Sequence, residues 1–304
     1  MTITQSSGAD LRSPDPGDPA IEIRGLVKRY AGQVVVNGLD LRIEPGECFA
    51  LLGPNGAGKT TTIEILEGFR RRDAGEVSVL GVDPARADRR WRARIGVVAQ
   101  STGDSLALSV REVLDAFGHY HRDPVPTAEL ISAVGLQEKA GTRINALSGG
   151  QRRRLDVALG IQGRPDLLLL DEPTTGLDPA ARRTFWQLVE ELKRAGTTIV
   201  LTTHYLDEAA TLADRVGVID RGWLREVAPP GQLGGRLRGT ATVRWTENGV
   251  PREIVTESPT EVLRDLLARH PDGELDELQV HRPTLEDVYL RLIEQTDATE
   301  GADR

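Results

Sequence analysis

Cysteine occurs once in the 304 residues, at Cys48, so no disulfide can form within the chain. The thiol sits in Cys48-Phe49-Ala50-Leu51-Leu52, an apolar run that reads as a buried strand, and is expected to be structural and not reactive. Lysine is scarce: Lys28, Lys59, Lys139 and Lys193 are the only four among 38 basic residues, an arginine bias of composition and not a functional patch. Basic charge is not in excess either. The net charge is −8 and the pI about 5.3, which argues against nucleic acid as the main partner, because neutralising phosphates takes clustered Lys and Arg. No stretch of about 18 apolar residues is present, so the sequence offers no bilayer-spanning helix. Met1 to Ala20 lacks an apolar core of signal-peptide length. Any membrane role must therefore run through a partner. No internal repeat and no sustained heptad pattern is found.

What is present is the composition of a soluble globular protein, 39 % hydrophobic and 28 % charged, long enough for one large domain and a small one. Residues 1–19, with Ser13-Pro14-Asp15-Pro16-Gly17-Asp18-Pro19, bury too little apolar surface to offset ordering and are expected to form a disordered tail. Ile21 to Ile43 alternates in places, which predicts a small antiparallel sheet. From Glu47 short apolar runs alternate with helical segments, the pattern of a parallel sheet with crossover helices. Cys48–Leu52, Ile95–Ala99, Leu167–Leu170 and Thr198–Thr202 are the expected strands. They are followed at or near their ends by Gly53, Gln100, Asp171 and His204. Ligands bind outside the carboxyl ends of such strands, so four polar landmarks at four ends point to one site. Residues 101–147 lack strand patterning and read as a helical insertion, with helices at Arg111–His121 and Thr127–Val134. Beyond Gly222 a second, small α+β unit is expected. It has a hairpin at Glu247-Asn248-Gly249, a helix near Thr260–Arg269, a strand near Leu275–Val280 and a helix from Leu285, opened by Thr284 as N-cap with Asp287 as its partner.

Three motifs carry chemistry. Gly53-Pro54-Asn55-Gly56-Ala57-Gly58-Lys59-Thr60, with Thr61 behind it, fits the phosphate-binding loop G-x-x-x-x-G-K-[ST]. Gly56 and Gly58 let backbone N–H groups turn around phosphate oxygens, Lys59 supplies a point charge, and the Thr60 hydroxyl suits Mg²⁺. Leu167-Leu168-Leu169-Leu170-Asp171-Glu172 ends a buried strand in two adjacent acids, which are costly unless a cation or a proton uses them. Asp171 is expected to hold Mg²⁺ and Glu172 to act as the general base on the attacking water. Leu147-Ser148-Gly149-Gly150-Gln151 opens a helix with a capping box, Ser148 to Gln151. A plain cap has no need of two glycines, each of which costs a helix about 1 kcal/mol. They permit close approach to an anion at the helix N-terminus, and the first phosphate loop already fills one such role. A second one suggests that this end closes the nucleotide of another copy of the chain. Arg152–Arg154 reads as a charged helix face.

In this order the motifs resemble the ATP-binding subunit of ABC transporters. The matching elements are Gly53–Thr60 (Walker A), Gln100 (Q-loop), Leu147–Gln151 (signature), Leu167–Glu172 (Walker B), Gly176-Leu177-Asp178 (D-loop) and His204 (H-loop), and the likeness covers about residues 21–225. The resemblance implies a P-loop NTPase (RecA-like) α/β core with an antiparallel β subdomain and a helical subdomain at about 101–160, over residues 20–225. A small C-terminal α+β domain would follow at 226–304. It implies ATP and Mg²⁺, with Gln100 beside Thr60 and Asp171 at the metal, Tyr30 stacked on adenine and His204 at the γ-phosphate. Ser148 and Gly150 would reach the other subunit's ATP, and Asp178 would link the two sites.

The stretch Thr174-Thr175-Gly176-Leu177-Asp178-Pro179, the segment Ser148–Gly160 and the ending Arg282–Leu290 are similar to the daunorubicin-resistance-type ABC-2 exporter ATPases. Ala99 stands where that family often has Pro. This likeness implies a homodimer at the cytoplasmic face of the membrane, serving a separate permease that exports a drug or other hydrophobic compound. The permease contact would lie around Ser101–Arg122. The alternative, a soluble ABC ATPase acting on ribosomes or DNA, resembles tandem cassettes or long coiled-coil insertions, and this chain has neither.

Overall fold

The computed structural model describes residues 17–99, 107–235, 240–247, 249–270 and 275–292. Most of the expected tail, Gln100 and the start of the expected permease contact lie outside these residues. The chain divides into two compact units, Met1–Leu224 and Arg225–Arg304.

The first unit holds two sheets. β1 (Ile21–Tyr30), β2 (Gln33–Ile43) and β4 (Ala74–Val79) form an antiparallel sheet in the order β2-β1-β4, with Ile21 opposite both Ile43 and Val79. The alternation of Ile21, Ile23 and Leu39, Leu41, Ile43 places these side chains in the core. The six-stranded sheet contains β3 (Cys48–Leu52), β5 (Ile95–Val98), β6 (Leu167–Asp171), β7 (Thr198–Thr203), β8 (Arg215–Asp220) and β9 (Trp223–Ala228), in the order β5-β6-β7-β3-β8-β9, and β9 runs past Leu224, the last residue of the first unit. The pairs β5–β6, β6–β7, β7–β3 and β3–β8 are parallel. All four leucines of β6 and every residue of β7 are buried. A strand covered on both faces reads as a continuous apolar run, which is why these segments show no alternation.

The order matters for function. β7 lies between β3, which feeds the phosphate loop, and β6, which ends in the acids. Asp171 is opposite Thr202, and Leu52 opposite Thr203. The carboxyl ends of three neighbouring strands therefore deliver the loop, the acids and His204 to one edge. Cys48 is fully buried and its thiol is pushed up to about 12 by burial, the inert behaviour expected of it.

The helical insertion contains α3 (Val110–Gly118), α4 (Thr127–Ala133) and the start of α5 (Gly149–Ile161). Ser109 opens α3 with a full capping box to Glu112. The described residues of this unit also form the α-helices α1 (Lys59–Leu66), α2 (Arg89–Arg92), α6 (Pro179–Arg194) and α7 (Leu206–Leu212).

In the second unit β10 (Ala241–Glu247), β11 (Val250–Thr256) and β12 (Asp276–His281) form an antiparallel sheet in the order β11-β10-β12. Glu247 pairs with Val250, as a two-residue hairpin loop requires, and α8 (Pro259–Arg269) packs on β10. Thr284 and Asp287 form the expected reciprocal cap: the Thr284 N–H donates to Asp287 Oδ2 at 2.7 Å and the Asp287 N–H to Thr284 Oγ1 at 3.2 Å. The Thr284 N–H first, then the Thr284 hydroxyl, which donates to Oδ2 at 2.8 Å, and His281 hold the Asp287 carboxyl down at about 2.

Candidate functional site

Gly53–Gly58 runs from the end of β3 to the start of α1. Gly58 is the N-cap of α1 at φ +104°, and a Cβ there would stand 2.7 Å from the Val35 carbonyl oxygen. Both the left-handed backbone and the close neighbour require glycine. The loop opens on a cleft of about 220 Å³ lined by Val35, Asn55, Gly56, Gly58, Lys59, Thr60, Thr61 and Glu172. Lys59 is 4 % exposed, and its ammonium donates to the Gly53 and Pro54 carbonyls at 2.8 and 3.1 Å. Burial lowers its pKa, and the carboxylate of Glu172, 3.5 Å away, works against that shift.

Glu172 is 9 % exposed. One carboxylate oxygen faces Lys59. The other stands 3.5 Å from His204 Nδ1 and accepts from the Thr175 hydroxyl at 3.3 Å. Its backbone is left-handed, φ +47°. That conformation costs a non-glycine residue about 1–3 kcal/mol and persists only where neighbours hold it. Thr202 is one such neighbour. Its Oγ1 accepts the Glu172 N–H at 3.0 Å and donates to Asp171 Oδ1 at 2.5 Å, so a single buried hydroxyl holds the Glu172 backbone and the Asp171 carboxylate. Arg153 is another: its guanidinium, 8 % exposed, donates to the carbonyls of Ala99, Asp171 and Pro173. The reading of Arg152–Arg154 as a charged face is therefore corrected at its centre. Arg153 falls on the stripe that continues through Val157 and Ile161 at four-residue steps, the buried side of α5.

Thr60 and Asp171 share the lining of a neighbouring cavity with Glu64 and Glu67. A hydroxyl and a carboxylate are hard oxygen donors, and Mg²⁺ takes one or two carboxylates and completes its shell with phosphates and water. No group of three or more His, Cys, Asp or Glu side chains arranged for a metal is found among the described residues. The Glu67 carboxyl is pushed up to about 7 by burial first, with Glu64 and Asp171 adding repulsion. Its folded pKa thus lies above the unfolded one, so stability from the protonated form is complete below about pH 4.5 and is lost as the pH rises through 7. Glu67→Gln should leave the melting temperature unchanged near pH 4.5 and raise it above wild type at pH 8; equal values at pH 8 would contradict this.

The remaining site candidates are placed less centrally. Ser148 and Gln151 form both halves of their capping box, at 3.3 and 3.1 Å. Gly149 is exposed, and among the described residues a Cβ on it would meet nothing within 4 Å. Asp178 caps α6, accepting from the Ala180 and Ala181 N–H groups at 2.9 and 2.8 Å, and its carboxylate is otherwise turned to the surface. Tyr30 is not among the residues lining the cleft. Arg70 lies 5.1 Å and Lys28 5.4 Å from its ring centre, and Arg70 is held in turn by Glu64 of α1. Gln100 lies outside the described residues. Thr202 and Arg153 were not singled out by sequence reasoning. The helical period of α5 carried a signal for Arg153, whereas a threonine within a strand is ordinary.

A phosphate loop between strand and helix, with acids at the end of the second strand away, defines a P-loop NTPase. Comparison with known proteins narrows the class. The profile described as ABC transporter matches residues 36–175. The Nod factor export ATP-binding protein I of Ralstonia nicotianae is 38 % identical, over 92 % of this chain and 96 % of that protein. Its namesake in Paraburkholderia xenovorans is 39 % identical over 90 % and 97 %. Among solved structures, an ATP-binding subunit of an ABC transporter matches with a TM-score of 0.65 at 24 % identity, covering 71 % of this chain and 92 % of that one. An ATP-binding cassette solved as a post-hydrolysis dimer with ADP and Pi matches at 0.64 and 24 %, covering 69 % and 98 %. The chain belongs to the ABC transporter family, as an ATP-binding subunit, and is an ATPase. No helix among the described residues is long and apolar enough to cross a membrane.

Proposed function

We propose that this ATPase powers export through a separate membrane permease, acting as a homodimer held at the cytoplasmic face of the membrane by that permease. The observation that carries the reading is the extent of the likeness to export ATP-binding proteins: 92 % of the chain is more than Met1–Leu224 can supply, so the second unit shares in it. The relatives' cargo is Nod factor by name; for this chain the cargo class is a drug or other hydrophobic compound. Nucleic acid is not a partner. Residues 20–225 form the cassette, with its helical subdomain at about 101–160, and 226–304 an accessory domain.

In the cleft the loop Gly53–Thr61 cradles the phosphates of ATP, and Tyr30 stacks on adenine. Thr60, Asp171 and Gln100 hold Mg²⁺, which when bound screens phosphate charge. Lys59 leaves Glu172 for the phosphates, and the freed carboxylate takes a proton from the attacking water. His204, beside Glu172, contacts the γ-phosphate. Ser148, Gly149, Gly150 and Gln151 of the second subunit close the site, and Asp178 links the two sites. Ser148 and Gly149 are exposed at the start of α5, which leaves them accessible to a second subunit.

Inside-out vesicles from cells making the chain and its permease should accumulate a fluorescent hydrophobic amphiphile on addition of ATP. Vesicles carrying Glu172→Gln should not. Accumulation independent of Glu172 would sink the reading.

A further inference from the structure

We propose that Arg153 is a positioning residue for Glu172, and that it ties the general base to the helix whose tip closes the second subunit's site. The inference rests on the general-base reading of Glu172 given above. Arg153 lies little more than one turn into α5, behind Ser148. Its guanidinium reaches the carbonyls of Asp171 and Pro173, the residues on either side of Glu172. Between them Glu172 holds its left-handed backbone. The same guanidinium reaches the Ala99 carbonyl, one residue before Gln100. Three donors in a rigid planar fork thus fix the carbonyls at the ends of β5 and β6 relative to α5. Lysine offers a cation on a flexible stem and cannot reproduce that fork.

The arrangement has a consequence for turnover. If the α5 tip engages phosphate, any shift of α5 along its axis moves the guanidinium, and with it the two peptides that flank Glu172. The carboxylate then swings relative to Lys59 and His204, each 3.5 Å from it. Binding of ATP to the chain's own loop does not pass through Arg153. The proposal therefore separates kcat from KM: the base is misplaced while the loop is intact.

The test is a double-mutant cycle of Arg153→Lys and Glu172→Gln in the full chain, with melting temperature and nucleotide binding measured alongside. Arg153→Met would remove all three of these hydrogen bonds at once and is at risk of not folding, so the lysine variant is the one measured. Expected is a kcat at least tenfold below wild type in Arg153→Lys, with KM for ATP within twofold, and no further loss of residual turnover when Arg153→Lys is added to Glu172→Gln. A merely structural role predicts the same fold-loss in both backgrounds, and that result overturns the proposal. So does an unchanged kcat in Arg153→Lys while Glu172→Gln is inactive. If Glu172→Gln turns over at the wild-type rate, the general-base reading is what fails, and the Arg153 proposal falls with it.

Discussion

Glu172→Gln should bind ATP, lose turnover and accumulate as a dimer. The carboxamide keeps the shape of the side chain, so the contact with Thr175 and the packing of a group only 9 % exposed survive. What is lost is the ability to take a proton from water, and a positioned general base contributes about 10²–10⁴-fold to a rate. The substitution also removes a negative charge from beside the place where phosphate must sit, so affinity for ATP is kept or improved. Gel filtration with and without ATP, together with a phosphate-release assay, checks both halves. Turnover at the wild-type rate would mean that another group activates the water.

Lys59→Ala should fail at the earlier step. The ammonium is buried, its pKa is lowered by that burial, and it is held by two loop carbonyls and Glu172. A cation kept in so dry a place is available to an anion without first shedding much water, which is where a charge contact is strongest. Removing one partner of such a charge pair costs about 3 kcal/mol, or about a hundredfold in affinity. Loss is compounded because Glu172 then faces the incoming phosphates without a cation between them. Titration calorimetry with ATP should show binding weakened at least a hundredfold and no ATP-induced dimer. Wild-type affinity in Lys59→Ala would remove the loop from the mechanism. The two variants thus fail in opposite ways, one empty and monomeric, the other loaded and paired.

Much of this architecture was legible because the parallel sheet writes its strands as apolar runs that stop abruptly at a polar residue. Cys48–Leu52 stopping at Gly53 and Leu167–Leu170 stopping at Asp171 are instances, and the structure places both ends at the same edge. β4 was not anticipated. Its first half, Ala74-Gly75-Glu76, is exposed and contains a glycine, so neither alternation nor an apolar run marks it, and pairing with β1 alone makes it a strand. Thr202 gave no signal because its role depends on β7 being sandwiched between β3 and β6, a fact of topology. Arg153 was hidden by its neighbours. Among three consecutive arginines the eye sees a charged surface, and only the four-residue step to Val157 and Ile161 sets the middle one apart.

The central claim is that the site is completed by a second copy of the chain. The measurement that tests it most directly is the ATPase rate of the wild-type chain as a function of its own concentration. A shared site predicts a rate rising faster than linearly, with activity per molecule climbing until the dimer is saturated. A strictly linear rate from a species that stays monomeric with ATP would contradict the account, because Ser148–Gln151 would then complete no second site in the isolated chain.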